Sequence, residues 1–233
     1  MSGHSKWATT KRQKAVVDAK RGAAFTKIGN LIAIAARKGT DPVSNPALAM
    51  AIDKAKAANM PKTNIERAIA RVADKSAAQI EEITYEAYGH GGVGIIIEVA
   101  TDNRNRTFPE IKSLLAKHGG RLAEAGSVLF QFDQKGLIEA APNTEDNMLL
   151  TLEAGAEDVQ EEGDNLLIYT EPRDLMSVRA KLLEAGLTVI SAELGYVPKM
   201  EIELSNEEND KVMNLLSILD DHDDVVNVST NLK

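Results

Sequence analysis

The chain has 233 residues, 43% of them hydrophobic and 27% charged, which is the composition of a globular protein rather than of a disordered tail. It has no cysteine, which excludes disulfides and thiol catalysis and removes the best zinc ligand. Residues 1–22 lack the apolar core of a signal peptide, and no apolar run approaches the roughly 20 residues of a spanning helix, so we expect a soluble, cytoplasmic protein.

Charge is distributed unevenly between the two ends of the sequence. Residues 1–75 carry 15 Lys and Arg against 5 Asp and Glu, a balance of +10. Residues 76–233 carry 12 against 30, a balance of −18. Such a split indicates a nucleic-acid partner at the basic end. The alternative is a helical bundle whose exposed faces happen to use lysine, although ordinary surfaces mix the two signs.

The basic third divides into an arm and a helical unit. Residues 1–20 are Lys-rich and have no sustained period, which predicts an extended arm carrying the only tryptophan, Trp7. Three apolar patterns with a period near 3.6 follow and predict three helices, each with one buried face. Pro61 can begin the third helix but would break a helix interior. We therefore predict a three-helix basic domain over residues 21–78.

From Thr84 the apolar residues alternate or form short runs, which indicates β-strands. Residues 85–88 and 93–99 are separated by the Gly-rich segment 89–92, a pattern typical of a hairpin. The glycines could also allow close approach to a phosphate backbone. A tight turn that needs positive φ is the simpler interpretation.

A helix and further strands are predicted after this hairpin. Thr107 and Glu110 have the spacing of a capping box, ahead of a helix that places Phe108 on its buried face. Residues 128–132 and residues 200–204 are apolar enough to predict strands.

The segment 136–196 reads as strand, helix, strand, strand, helix, strand. Its helices are centred near Leu149 and Arg179, and each ends in the tripeptide Glu-Ala-Gly. The two glycines, Gly155 and Gly186, are placed as left-handed caps before the next strand. This tandem βαβ half-repeat is typical of a ferredoxin-like domain.

The last stretch begins a helix at a capping box of Ser205 and Glu208 and continues into a strand. Alone it is too small to bury a core, so we expect it to complete one sheet with residues 79–135. The predicted class is α+β with three domains: a three-helix domain and two ferredoxin-like α/β domains, one inserted into the other. The outer domain then spans residues 79–135 and 197–233 around an inserted domain at 136–196.

Motifs of catalysis are missing from the sequence. It contains no phosphate-binding Gly-x-x-x-x-Gly-Lys, no His-Glu-x-x-His and no Gly-x-Ser-x-Gly. His222 lies within an Asp-Asp-His-Asp-Asp run, which we interpret as a solvated acidic helix end because its spacing matches no cation cage. We expect no enzyme, no cofactor and no metal site.

The segment 101–107, Thr-Asp-Asn-Arg-Asn-Arg-Thr, joins a strand end to a helix start, where unpaired N–H groups and the helix dipole favour an anion. The turn explains its Asp and Asn residues, and the cap explains Thr107. Arg104 and Arg106 are needed for neither. They indicate either phosphate binding or a domain-interface ion pair, and the sequence favours the two equally.

A basic flank is predicted on the third helix, where Arg67, Arg71 and Lys75 recur every fourth residue. Together with the arm it could form one surface that binds phosphates without reading bases. The candidate nucleic-acid-binding residues are Lys6, Trp7, Lys11, Arg12, Lys14, Lys20, Arg21, Lys54, Lys62, Arg67, Arg71, Arg104 and Arg106.

Several segments of the chain resemble the YebC/PmpR family. The opening Gly3-His4-Ser5-Lys6-Trp7 is the most specific, together with residues 101–107. The resemblance continues in register at residues 18–22, 51–55, 58–62, 64–69 and 117–120. One departure is His90, where family members usually carry proline in the Gly-rich turn.

The resemblance implies three domains, a helical one and two α/β domains with one inserted in the other. It implies a non-enzymatic DNA-binding transcriptional regulator. The alternative that it implies is a translation factor that binds the ribosome and its RNA and assists elongation on difficult sequences. The expected partners are therefore DNA, or ribosomal RNA with ribosomal proteins, and neither a membrane nor a small-molecule substrate.

Overall fold

The computed structural model of the chain describes residues 21–73 and 79–233. Within them the chain forms seven α-helices and eight strands. The helices are α1 (Arg21–Ala36), α2 (Pro46–Ala57), α3 (Lys62–Ala70), α4 (Arg104–Lys117), α5 (Glu145–Glu153), α6 (Leu175–Glu184) and α7 (Asn206–Asp220). The strands are β1 (Glu81–Tyr88), β2 (Gly94–Thr101), β3 (Arg121–Leu122), β4 (Phe132–Ala141), β5 (Asp158–Glu162), β6 (Asn165–Thr170), β7 (Thr188–Pro198) and β8 (Val225–Thr230).

The three predicted helices of the basic domain are confirmed, and Asn45 explains the turn between the first two. Its side chain accepts a hydrogen bond from the Leu48 N–H and so caps α2. The same amide donates to the carbonyl oxygens of Ala35 and Gly39 at the end of α1. One buried side chain therefore satisfies backbone groups of both helices, and Ile32 and Leu48 are fully buried between them.

Two four-stranded antiparallel sheets follow, and they confirm the α+β class. The outer sheet has the order β3–β1–β2–β8, with α4 and α7 packed against its buried side. The predicted hairpin is its central pair, and positive φ angles at Gly91 and Gly92 turn the chain between β1 and β2. The inner sheet has the order β5–β6–β4–β7, as expected for the predicted ferredoxin-like insert. The outer sheet opens with a hairpin instead of a βαβ unit, so its strand order differs from that of the insert.

The repeated Glu-Ala-Gly ends of α5 and α6 have the predicted left-handed glycines, with φ of +106° at Gly155 and +91° at Gly186. Both turns are closed in the same way, because Ala156 N–H donates to Thr151 O and Leu187 N–H donates to Leu182 O. The capping box of Ser205 and Glu208 at the start of α7 is also confirmed.

Three local predictions are wrong. Residues 129–131 form a 3₁₀ turn before β4 begins at Phe132, because Glu86 accepts hydrogen bonds from the N–H groups of this loop. Residues 200–204 form only a single bridge, between Ile202 and Leu232. The helix α4 begins four residues earlier than predicted, because Asn103 and not Thr107 caps it.

The helical domain contacts both sheets. On one side Asn30 of α1 donates to the carbonyl oxygen of Ala100 at the end of β2. On the other side α2 packs against β7, and Met50 reaches the apolar core of the insert. The proposed domain boundaries of the α/β part stay a prediction, since β4 and β7 run continuously past residues 136 and 196. None of the helices that the structure describes is long and apolar enough to span a membrane.

Candidate nucleic-acid interface

The arm contributes six of the candidate residues, and all six lie outside the described residues: Lys6, Trp7, Lys11, Arg12, Lys14 and Lys20. Arg21 begins α1, but its side chain is outside the description as well. Lys75 of the predicted flank lies in the undescribed segment 74–78. The role of these residues in binding stays a prediction.

Helix α3 exposes two candidate cations to solvent. The Lys62 side chain is 88% exposed and makes only a long ion pair with Glu66, at 3.7 Å between Nζ and Oε1. Arg67 is also exposed, and no carboxylate among the described residues lies within 4 Å of its guanidinium. Because an exposed pair of this length contributes little, both side chains are available to an anionic partner.

Lys54 instead joins the helical domain to the insert. Its ammonium donates to Oε2 of Glu193 on β7 at 2.7 Å. The negative charge of Glu193 raises the pKa of Lys54, and burial of the ammonium opposes that rise only in part. On the same helix Asp53 pairs with Arg179 of α6. Helix α2 supplies the cation of one pair and the anion of the other. The two pairs together therefore fix how α2 lies on the insert.

Arg71 lies at the junction with the outer domain. Its guanidinium donates to the side-chain oxygen of Asn30 at 3.4 Å and lies 3.7 Å from a carboxylate oxygen of Asp102. The predicted flank therefore divides: Arg67 faces solvent, whereas Arg71 faces another domain.

Arg106 is bound by carboxylates within its own domain. Its guanidinium contacts Asp224 at 2.9 Å and Asp102 at 3.6 Å. The Asp224 carboxylate also accepts hydrogen bonds from the hydroxyl groups of Thr101 and Thr107. Asp224 thus ties together the end of β2, the start of α4 and the start of β8, and we call this group the Asp224 anchor.

The Asp224 anchor corrects our interpretation of the acidic run as a solvated helix end. Asp224 is 7% exposed, and its own N–H donates to Nδ1 of His222. The other ring nitrogen of His222 lies 3.1 Å from a carboxylate oxygen of Glu110 on α4. Burial opposes ionisation of Asp224, but the hydrogen bonds from Thr107 and Arg106 and the charge of Arg106 outweigh it and hold its pKa below the usual value.

Arg104 has a different environment from Arg106. It is exposed, and the described residues place no carboxylate within 4 Å of it. It lies beside the phenol of Tyr85 on β1 and affects the ionisation of that phenol. Burial raises the pKa of Tyr85, and the positive charge of Arg104 opposes that rise. Of the two arginines in the 101–107 segment, only Arg104 keeps its charge unpaired.

A groove of about 920 Å³ lies between α1 and the outer domain. Arg71, Arg106 and Lys117 line it together with Asp102 and the acidic run after α7. Carboxylates balance these cations, so the groove lacks the positive excess that a phosphate chain requires.

Two family models match this chain. The model described as the TACO1/YebC N-terminal domain matches residues 5–75, and the model of the TACO1/YebC second and third domain matches residues 80–232. The chain belongs to the TACO1/YebC family. The resemblance seen in the sequence is thereby confirmed, and this family member follows its relatives over nearly the whole length.

Relatives from two bacteria illustrate the similarity. A protein of Desulforamulus reducens is 48% identical over 238 aligned residues, which cover 99% of this chain and 98% of the relative. A protein of Moorella thermoacetica is 50% identical over 239 aligned residues, which cover 99% and 95%. Both are named "Probable transcriptional regulatory protein". A crystal structure of a conserved hypothetical protein from Aquifex aeolicus superposes with a TM-score of 0.87 at 39% identity, over 93% of this chain and 91% of that one.

Proposed function

We propose that this chain is a non-enzymatic regulatory protein that binds nucleic acid through its helical domain and arm, and that its target is DNA in the control of transcription. The observation that carries the proposal is the exposed positive charge of Lys62 and Arg67 on α3, in the basic domain of a chain whose net charge is −8. Residues 21–73 hold nine Lys and Arg against three Asp and Glu, whereas residues 79–233 hold 12 against 30. The names of the relatives support a role in transcription.

Ribosomal RNA is the second candidate target, and the same charge distribution favours it. A long duplex would approach the two acidic domains as well as the basic one, and their charge of −18 repels it. On a ribosome, basic proteins lie beside the RNA and could face those acidic domains. A translation factor therefore fits the separation of charge, and a transcription factor fits the relatives.

Charge reversal on α3 tests whether the helical domain binds nucleic acid. We expect Lys62→Glu with Arg67→Glu to weaken binding about tenfold or more, and to lower the slope of log affinity against log salt by about two on duplex DNA. The matched control is Arg173→Glu with Lys211→Glu, which makes the same charge change at exposed sites of the α/β domains. Equal affinity and salt slope for the two double variants would contradict the assignment of α3 as the interface.

The two targets are separated by a second measurement. Cell extract is sedimented through a sucrose gradient with and without ribonuclease, and the purified protein is footprinted on genomic promoter fragments. Protection of promoter DNA supports the transcriptional role. Ribonuclease-sensitive migration with ribosomes, without any protected DNA, would replace it with the translational one.

A further inference from the structure

Helix α4 has a second flank, opposite the Asp224 anchor. Arg104, Phe108 and Lys112 follow one another at intervals of four residues, so their side chains leave the same flank of the helix. Eight residues of α-helix rise about 12 Å, and the aromatic ring lies midway between the two cations. We call these three residues the Phe108 stripe.

The ring at the centre of this stripe is supported on one side and open on the other. Phe108 is 41% exposed, although the sequence pattern places it on the buried face. Its ring centroid lies 5.8 Å from that of Tyr85, with the planes inclined by 54°. Tyr85 is only 8% exposed and belongs to the core beneath α4. The contact holds Phe108 in place without covering it.

Both cations of the Phe108 stripe lack acidic partners. Arg104 and Lys112 are exposed, and within the described part of the chain no carboxylate lies within 4 Å of either charge. Arg106, Glu110 and their partners occupy the other flank of the helix instead. The stripe therefore presents two unpaired positive charges on either side of an exposed aromatic ring.

The buried hydroxyl of Tyr85 lies beside Arg104, the one arginine of the 101–107 segment that has no carboxylate. It makes no hydrogen bond of standard geometry, but the Arg104 guanidinium is close enough that its charge and a weaker hydrogen bond from it oppose the rise in the pKa of Tyr85. Arg104 therefore lies on the same flank as Phe108.

We propose that the Phe108 stripe binds single-stranded nucleic acid, with one unpaired base stacked on Phe108 and the neighbouring phosphates held by Arg104 and Lys112. Aromatic side chains stack on bases irrespective of sequence, and cations beside them bind the backbone. The faces of paired bases are covered by their neighbours, so the ring could stack in a duplex only by unstacking a base step, which costs free energy. The inference rests on the proposed nucleic-acid function and adds that part of the target is unpaired.

The test compares labelled decamers of uridine and of thymidine with a 20-base-pair duplex, by fluorescence anisotropy on the full chain. We expect Phe108→Leu to weaken decamer binding about fivefold or more, since stacking of one base contributes on that scale. Duplex affinity should change less than twofold. The matched control is Phe130→Leu, because Phe130 is 66% exposed on a different element, the 3₁₀ turn before β4. A melting curve by circular dichroism checks that each variant is folded.

Lys112→Ala provides a second variant, at an exposed side chain. We expect it to lower the salt slope on decamers by about 0.7, the value of one lost phosphate contact on a single strand. The expected result is that both variants lose affinity for the RNA decamer or the DNA decamer and keep their affinity for the duplex. Wild-type-like decamer binding by both variants, or an equal loss on decamers and duplex, would overturn the stacking site. If the wild type binds none of the three probes, the proposed function itself fails.

Discussion

Arg104 and Arg106 lie two residues apart at the start of α4, and their side chains leave the helix on opposite flanks. Arg106 meets the buried Asp224 and contributes to the contact between β2, α4 and β8. Arg104 meets only the phenol of Tyr85 and stays exposed. Arg106 therefore forms an ion pair, although within its own domain and not across an interface, and phosphate binding stays a proposal for Arg104. The two arginines differ because only Arg106 meets the carboxylate of Asp224, which lies 118 residues further along the chain.

A charged motif at a helix start, such as the 101–107 segment, therefore need not serve one purpose. The flank with Arg106 and Glu110 is used for stability, because each side chain meets a partner from the α7–β8 connection. The flank with Arg104 and Lys112 adds nothing comparable to the fold. Substitutions on the first flank should therefore change the free energy of unfolding, and substitutions on the second should change binding.

The largest expected effect is that of Asp224→Ala. The substitution removes an acceptor from the hydroxyl groups of Thr101 and Thr107, and it removes the closer of two carboxylates from the Arg106 guanidinium. We expect the free energy of unfolding in urea to fall by about 2–4 kcal/mol, as for loss of one member of a buried polar group. Asp223→Ala removes a neighbouring exposed carboxylate and should cost less than about 0.5 kcal/mol. Similar values for the two variants would mean that the Asp224 anchor does not stabilise the fold.

Acid should remove part of the same stabilisation. Because the folded pKa of Asp224 lies below that of the unfolded chain, its charge stabilises the fold above the unfolded value of about 3.9. The contribution is lost as pH falls through the lower, folded value. Asp224→Asn cannot titrate, so we expect its deficit in unfolding free energy to be constant from pH 8 to 5 and to shrink below about pH 4. A deficit that stays constant down to pH 3 would show that ionisation of Asp224 is not involved.

A second carboxylate should still make the Asp224→Asn variant sensitive to acid. Burial opposes ionisation of Glu86, yet hydrogen bonds from the N–H groups of Gly126, Leu129 and Val128 outweigh it and lower its pKa. Its contribution has the same sign as that of Asp224 and is lost in the same direction. The measurement should therefore compare the two proteins at each pH, since the variant alone also loses stability in acid.

Periodicity was sufficient for most of the fold, because helices and strands bury faces that repeat every 3.6 or every 2 residues. The helices of the basic domain, the hairpin and the ferredoxin-like insert were all predicted on that ground. The failures are at places where a side chain outside the element decides where that element begins. Glu86 binds the loop at residues 128–129 and prevents a strand there, and Asn103 caps α4 ahead of Thr107.

The site was harder to predict, because pairing between distant charges leaves no local pattern. Lys54 and Arg71 look like Arg67 in the sequence, yet Glu193 and Asp102 bind the first two. The burial of Asp224 could not be predicted, because three more aspartates stand in the same run, residues 220–224. The Phe108 stripe did have a local signal, the interval of four residues between Arg104, Phe108 and Lys112. The sequence pattern nevertheless places Phe108 on the buried face, whereas its side chain is 41% exposed.

Arg104→Ala has the smallest expected effect on stability. It is also the most direct test of the difference between the two flanks of α4. An exposed arginine without a carboxylate partner contributes little to folding, so the free energy of unfolding should stay within about 0.5 kcal/mol of the wild type. Its removal also takes away the positive charge that opposes the rise in the pKa of Tyr85, so this phenol should ionise at higher pH in a spectrophotometric titration. A large loss of stability would mean that Arg104 supports the fold as Arg106 does. A stable variant with a raised Tyr85 pKa would instead confirm that Arg104 lies beside Tyr85 and is not needed for folding.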